Sequence, residues 1–306
     1  MPRVTAGGWY ETRVIDAVVV TRDSRELVVD SVRHLHSPLL DRVIVVDNGS
    51  EDGSAEAVKA ARPEVEVIRI QRPEGLAFAY NRGAEAGSAE LILFLNDDVV
   101  AGDTPIVALA AALEYRPNAV AAAGRLIDTV DGRTQEAYLP QEFPGPLTLA
   151  APLFGRARRR VDLRHDQPVV VDQPPGACLL VRRRVFEAVG GWDEDFEFWF
   201  EDVDLARRLR AVGDLLYVPA AAFPHVGGAS ARRLTRPEVV ARSYRGALLY
   251  AQRHLGLGGR VITAPAYALV SAARLVTARE ADARRAYACV LRNALRLAAG
   301  RSLLPP

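Results

Sequence analysis

Four stretches of this 306-residue chain carry side chains able to do chemistry. Asn96-Asp97-Asp98 sets adjacent oxygen ligands side by side, as a hard divalent cation shared with a substrate's phosphates requires; the same residue types also favour plain turns. Asp47-Asn48-Gly49-Ser50-Glu51-Asp52-Gly53-Ser54 suits backbone amides and a carboxylate gripping a nucleotide, and equally a loop with a helix cap. Glu201-Asp202-Val203-Asp204 opens a helix, where the dipole favours acidic residues in any case. The aromatic run Phe196 to Phe200, which includes Trp199, directly precedes it. Apolar walls would desolvate a neighbouring carboxylate and raise its basicity, and aromatic faces suit sugar rings. His225 stands before Gly227 and Gly228. A neutral imidazole beside open backbone amides matches a metal and a diphosphate, although a lone histidine is more often structural.

The elements that must position these residues are legible in the periodicity. Ile15 to Thr21, Val43 to Val46, Val65 to Ile70 and Leu91 to Leu95 read as buried strands. Helices are expected between them, the first capped by Asp23 or Ser24, the next from about Gly53 to Ala61 and from about Gly75 to Ala86. Such alternation implies right-handed βαβ units and a largely parallel sheet. Asp47 and the 96–98 cluster then sit just past carboxyl strand ends, where ligands bind in such sheets. A helix follows from about Pro105 to Tyr115. Asp131 to Asp172, with Arg156, Arg158, Arg159 and Arg160, reads as a long functional or mobile loop. Further on come a strand at Ala177 to Val181, helices at Arg184 to Val189 and Glu201 to Ala211, and a short strand at Leu215 to Val218.

Bulk properties narrow the classes. A net charge of +1 gives no reason to expect nucleic-acid binding. Cys178 and Cys289 lie far apart without metal-ligand spacing, which fits a reducing compartment. There is no signal-like start, and the apolar run Val261 to Ala273 is 13 residues, too short to span a bilayer. A cytoplasmic location is therefore expected. Charge is uneven: from His225 onward 14 arginines face only Glu238, Glu280 and Asp282, a net +11, which leaves −10 before it.

Taken together, Asp47-Asn48-Gly49-Ser50, Asn81-Arg82-Gly83, Leu95-Asn96-Asp97-Asp98, Gly176-Ala177-Cys178, Gly190-Gly191-Trp192-Asp193-Glu194, Glu201-Asp202-Val203-Asp204-Leu205 and His225-Val226-Gly227-Gly228-Ala229-Ser230 resemble the GT-A-fold family 2 glycosyltransferases, in their rhamnosyltransferase-like branch. The resemblance implies a Rossmann-like α/β fold with a mostly parallel sheet flanked by helices over residues 1–230; residues 231–306 carry little of it and read as a basic helical extension. It implies inverting transfer of a sugar from a nucleotide-diphosphate donor to a hydroxyl acceptor, with rhamnose from dTDP-rhamnose the leading choice of donor. Asp47 would contact the base or ribose, with Asn48, Asn81, Asn96, Asp97 and Trp199 also on the donor. Asp98 and His225 would hold Mn²⁺ or Mg²⁺, and Asp202 would be the catalytic base with Glu201 as its neighbour. Two positions depart from the pattern: Asn96 replaces the first aspartate of a strict DxD, and Pro73-Glu74-Gly75 stands where relatives carry Asn-x-Gly.

Two other classes fit the sequence less well. A sugar-nucleotide nucleotidyltransferase would show a glycine-rich basic loop after the first strand, and Thr21-Arg22-Asp23-Ser24 is not one. A non-catalytic sugar-nucleotide-binding protein would have no need of both Asp98 and Asp202. In the tail, Arg242, Arg245, Arg253 and Arg260 alternate with Leu248, Leu249, Tyr250 and Leu255. Such helices either lie on an anionic membrane and take a polyprenyl-linked saccharide acceptor, or pack on the catalytic domain.

Overall fold

A computed structural model describes residues 14–151, 167–228 and 234–304. The arginine cluster at 156–160 and residues Ala229 and Ser230 lie outside them. The first half alternates as its periodicity demands: β1 (Ile15–Thr21), α1 (Arg25–His34), β2 (Leu40–Asn48), α2 (Ser54–Ala61), β3 (Glu66–Ile70), α3 (Leu76–Ala86), β4 (Leu91–Asn96) and α4 (Asp103–Tyr115). There follow β5 (Ala119–Asp128), a short α5 (Pro146–Ala150), β6 (Val169–Val171), β7 (Cys178–Arg182), α6 (Arg183–Ala188), α7 (Glu201–Arg210) and β8 (Asp214–His225).

The eight strands form one sheet in the order β3-β2-β1-β4-β7-β5-β8-β6. The pairs β1·β2, β1·β4, β2·β3 and β5·β8 are parallel, and β7 and β6 run against their neighbours. Because successive side chains of a strand point to opposite faces, Ala17 and Val19 of β1 join the core under α1, α2 and α4. Val18 and Val20 join the opposite core, with Tyr80, Phe94, Trp192 and Leu205. The chain leaves β1 first toward β2 and β3 and later returns to β4 on its other side. That reversal opens a crevice at the carboxyl ends of β1 and β4, a standard ligand position.

Two strands differ from expectation. β5 has no alternating pattern, since Ala119 and Ala121 to Ala123 are all small; only pairing with β7 and β8 makes it a strand. β8 runs well beyond the expected 215–218 despite Pro219 and Pro224, with a register shift that absorbs the irregularity. The cap of α1 also differs. Ser24 occupies the N-cap position but its hydroxyl donates to the Arg22 carbonyl, and the Arg25 amide is met instead by the Asp52 carboxylate at 2.9 Å.

The tail folds as α8 (Arg236–His254), a one-turn α9 (Gly256–Gly258), a π-helical turn (Gly259–Thr263), α10 (Ala264–Thr277) and α11 (Ala281–Ala298). Its apolar residues Leu248, Leu249, Tyr250, Tyr267 and Val290 form a third core with Phe196 and Val203 of the first region. Arg245 and Arg253 turn toward the acidic 193–197 segment, Arg253 donating to both Asp193 and Asp195. The face of α8 with Leu248, Leu249 and Tyr250 thus packs on the catalytic region and is not available to a membrane.

Candidate active site

At the crevice, Thr21 Oγ1 donates to Asp97 Oδ2 at 2.9 Å, tying the end of β1 to the end of β4. Asp97 and Asp98 are both buried. The last residues of β8 are zipped onto the next stretch of chain: the Val100 amide donates to the Pro224 carbonyl, and the Val226 amide to the Asp98 carbonyl. This brings His225 Nε2 to 3.3 Å from Asp98 Oδ1, while the Gly227 amide donates to Asp98 Oδ2 at 3.1 Å. Gly227 has φ +77°, which a side chain disfavours and a close amide approach requires.

Gln135 fixes the histidine. Its Nε2 donates to the His225 carbonyl at 2.7 Å, so its Oε1 is the atom 2.7 Å from His225 Nδ1 and accepts the ring proton there. In a neutral ring that leaves the Nε2 lone pair beside a carboxylate oxygen, two atoms that a cation could share. Tyr138 supports the ring edge-on at 4.8 Å. Oxygen and imidazole donors fit Mn²⁺ or Mg²⁺. Among the described residues no third His, Cys, Asp or Glu joins the pair.

The opposite wall is α7. A cavity of about 250 Å³ is lined by Asn96, Asp97, Asp98, Tyr138 and His225 on one side and by Trp192, Phe198, Trp199, Glu201 and Asp202 on the other. Trp199 and Phe200 have φ of +68° and +73°, a left-handed backbone costing roughly 1–3 kcal/mol per residue for such side chains. The turn is clamped from outside: the Leu76 amide donates to the Glu197 carbonyl, and Gly246 of α8 comes so close that a Cβ there would stand 2.6 Å from the Trp199 carbonyl oxygen. Gly176 makes room on the inside, since its Cβ would stand 2.7 Å from Asp202 Cβ. Glu201 is buried with Oε2 unpartnered. Burial, and then the Asp202 charge, push its carboxyl up to about 8. Cys178 is buried and its thiol is pushed up by that burial, so it offers no nucleophile.

A second cavity of about 290 Å³ shares Val20, Leu76, Asp97 and Phe198 with the first and extends past Thr21, Arg22, Asp23, Asn48 and Glu74 to Glu238 and Arg242 of α8. The turns that wall it are tied together. The Asp23 amide donates to Ser50 Oγ, the Glu51 amide to Asp23 Oδ1, and the Ser50 amide to Asp47 Oδ1.

The structure thus gathers Asn96, Asp97, Asp98, Trp199, Glu201, Asp202 and His225 around one cavity and places Asn48 on the adjoining one. Asp47 and Asn81 line neither. Asp47 is buried under Ser50 with Arg69 at 3.5 Å, and Asn48 holds the Glu74 backbone through both ends of its amide. Asn81 exchanges hydrogen bonds with the Trp192 backbone and donates to Glu194, so it fixes the wall rather than reaching the cavity. Gln135, Tyr138 and Arg242 join the site from segments with no motif of their own.

The glycosyl transferase family 2 model matches residues 18–190, more than half of the chain. The chain belongs to glycosyl transferase family 2. It is a glycosyltransferase of GT-A fold, and the motifs quoted above from Asp47 to Cys178 lie within the matched residues. It is similar to an N-acetylglucosaminyl-diphospho-decaprenol L-rhamnosyltransferase of Mycobacterium tuberculosis (strain ATCC 25618 / H37Rv), 32% identical over 233 residues that cover 70% of this chain and 76% of the relative. Among solved structures, GalNAc-T7 with UDP, GalNAc and Mn²⁺ superposes with a TM-score of 0.60 at 16% identity, over 78% of this chain and 48% of that one. The mannosyltransferase PcManGT from Pyrobaculum calidifontis in complex with GDP-Man and Mn²⁺ superposes at 0.52 and 16% identity, over 95% and 87%. Among the described residues of this family member, no helix is long and apolar enough to cross a membrane.

Proposed function

We propose that this family 2 glycosyltransferase catalyses a metal-dependent, inverting transfer from a nucleotide-diphosphate sugar, dTDP-rhamnose being the leading candidate, to a hydroxyl of a polyprenyl-linked saccharide or a related glycan, in cell-envelope polysaccharide synthesis. The observation that carries the reading is the pair His225 Nε2 and Asp98 Oδ1, 3.3 Å apart, on the same cavity as Asp202. A divalent cation held there would neutralise the nucleotide diphosphate as it departs.

The chain's own residues supply the rest. The second cavity, with Asn48, Asp23 and Arg242, would take the nucleoside, and Asp47 would hold that cavity's turn from beneath. Asn96 and Asp97 would position the donor between the two cavities, and Asn81 would act on the donor only through Trp192. Trp199 would offer a face to the sugar rings. Asp202 would take the acceptor hydroxyl's proton as that oxygen attacks the anomeric carbon from the face opposite the diphosphate. One displacement inverts that centre without a protein nucleophile. Glu201, whose carboxyl burial pushes up to about 8, would hold a proton beside Asp202 at neutral pH. The similarity to a decaprenol-linked rhamnosyltransferase supports the donor and acceptor classes, and such an acceptor would bring the chain to a membrane as a peripheral contact.

The test is donor binding by thermal shift with dTDP-, UDP- and GDP-sugars, with and without Mn²⁺, on the native chain and on Asp98→Ala. A metal-dependent rise with one nucleotide family, absent in Asp98→Ala, is the expected result. Product analysis by NMR then reads the anomeric configuration. A retained configuration would remove the single-displacement mechanism, and no shift with any nucleotide would remove the donor assignment.

A further inference from the structure

The apolar run Val261 to Ala273, too short to span a bilayer, lies within one continuous helical stretch made of α9, the π turn and α10. One side of it is buried in the third core through Ala264, Tyr267 and Ser271. Among the described residues nothing covers the other side. Leu257 is 69% exposed, Val261 57%, Leu269 66% and Val276 84%, with Ile262 partly exposed beside them. Leu257, Val261, Pro265 and Leu269 recur every fourth residue, so the exposed side chains form a stripe along the helix. Single exposed apolar residues need no explanation, whereas a contiguous stripe of them does.

The charges around the stripe say what covers it. Arg260, Arg274 and Arg279 are exposed, and no acidic residue lies between Leu257 and Arg279. A second copy docking stripe to stripe would bring six guanidiniums together with only Glu280 and Asp282 of each copy, beyond the end of the stripe, near them. An anionic lipid surface meets the same arginines with opposite charge while its acyl region accepts the leucines and valines.

We infer that the α9–α10 stripe is a membrane-contact face that lies in the interface of an anionic bilayer, with Leu257, Val261 and Leu269 inserted and Arg260, Arg274 and Arg279 at the headgroups. It is a different face from that of α8, whose apolar residues are committed to the third core. The inference rests on exposure and charge alone and stands apart from the transferase reading.

Vesicle flotation with the full chain tests it, because flotation reads neither donor nor product. The native chain should float with phosphatidylcholine vesicles containing phosphatidylglycerol, and not with phosphatidylcholine alone. Binding should fall as salt shortens the Debye length toward ~3 Å. Val261→Glu with Leu269→Glu, both at exposed positions and so compatible with an unchanged melting temperature, should abolish flotation. Arg274→Glu with Arg279→Glu should weaken it roughly tenfold or more. Absence of flotation with anionic vesicles overturns the inference, as does flotation that both double variants retain. A dimer in solution that Leu269→Glu dissolves, without vesicle binding, would assign the face to a second copy instead.

Discussion

His225 illustrates how much one hydrogen bond decides. With Nδ1–H given to Gln135, a neutral ring presents its Nε2 lone pair to the position Asp98 shares. A Gln135→Leu variant frees the ring to take the other tautomer. It should weaken Mn²⁺-dependent donor binding roughly 10–100-fold, read by titrating Mn²⁺ against the donor's thermal shift; an unchanged midpoint would count against this role. Asp202→Asn should lower kcat roughly 10²–10⁴-fold with the donor's thermal shift intact, and equal losses in binding and rate would argue against a base. Glu201 adds a pH signature. Its carboxyl is raised by burial and by Asp202, so the folded chain holds a proton that the unfolded chain has released. The stability this gives is full below the ordinary carboxylate range and is lost as pH rises toward about 8. Wild type should therefore lose melting temperature from about pH 5 to about pH 8 relative to Glu201→Gln. Parallel curves for the two proteins would contradict it.

Among the elements, α7 owes its position to its neighbours. Asp204 on its first turn is bound by His254 of α8 at 2.6 Å and by Arg208, whose other nitrogen holds the Val189 and Gly191 carbonyls. Arg207 donates to the Tyr250 hydroxyl. These ties, with Gly246 against Trp199, hold two aromatic residues in a left-handed turn that the local chain would not choose. Gly246→Ala would gain about 1 kcal/mol of helix propensity in isolation. Here its methyl meets a backbone oxygen, so overpacking of about 1–3 kcal/mol should prevail. Calorimetry should show a lower Tm, and kcat should fall with it as Asp202 shifts. A higher Tm would mean the contact is loose.

On the scale of the whole molecule, the basic tail is part of the catalytic unit's packing. Its third core contains Phe196 and Val203, and its Arg242 walls the second cavity. A chain ending at residue 230 should expose that core and melt without cooperativity, as judged by circular dichroism and by aggregation at concentrations where the full chain stays monodisperse. Cooperative melting of the shortened chain would show that the region up to 230 folds alone.

The alternation of β-branched runs with helical spacing was enough to determine the parallel first half of the sheet, and with it the strand-end positions of Asp47 and of Asn96 to Asp98, because those patterns are local and repeat at fixed periods. The motif order likewise identified the family. Only the tertiary structure decided the rest. β5 is a row of alanines that becomes a strand through its partners, and β8 carries His225 to Asp98 only because it is zipped to the chain after β4. Gln135 and Arg242 reach the site across 90 residues and from the tail, contacts that leave no periodic trace in a sequence. The direction of the tail's apolar faces was also open, since an amphipathic helix shows that it must cover one side and not what it covers. Packing answered that for α8, which faces inward, and left α9 and α10 with one side exposed.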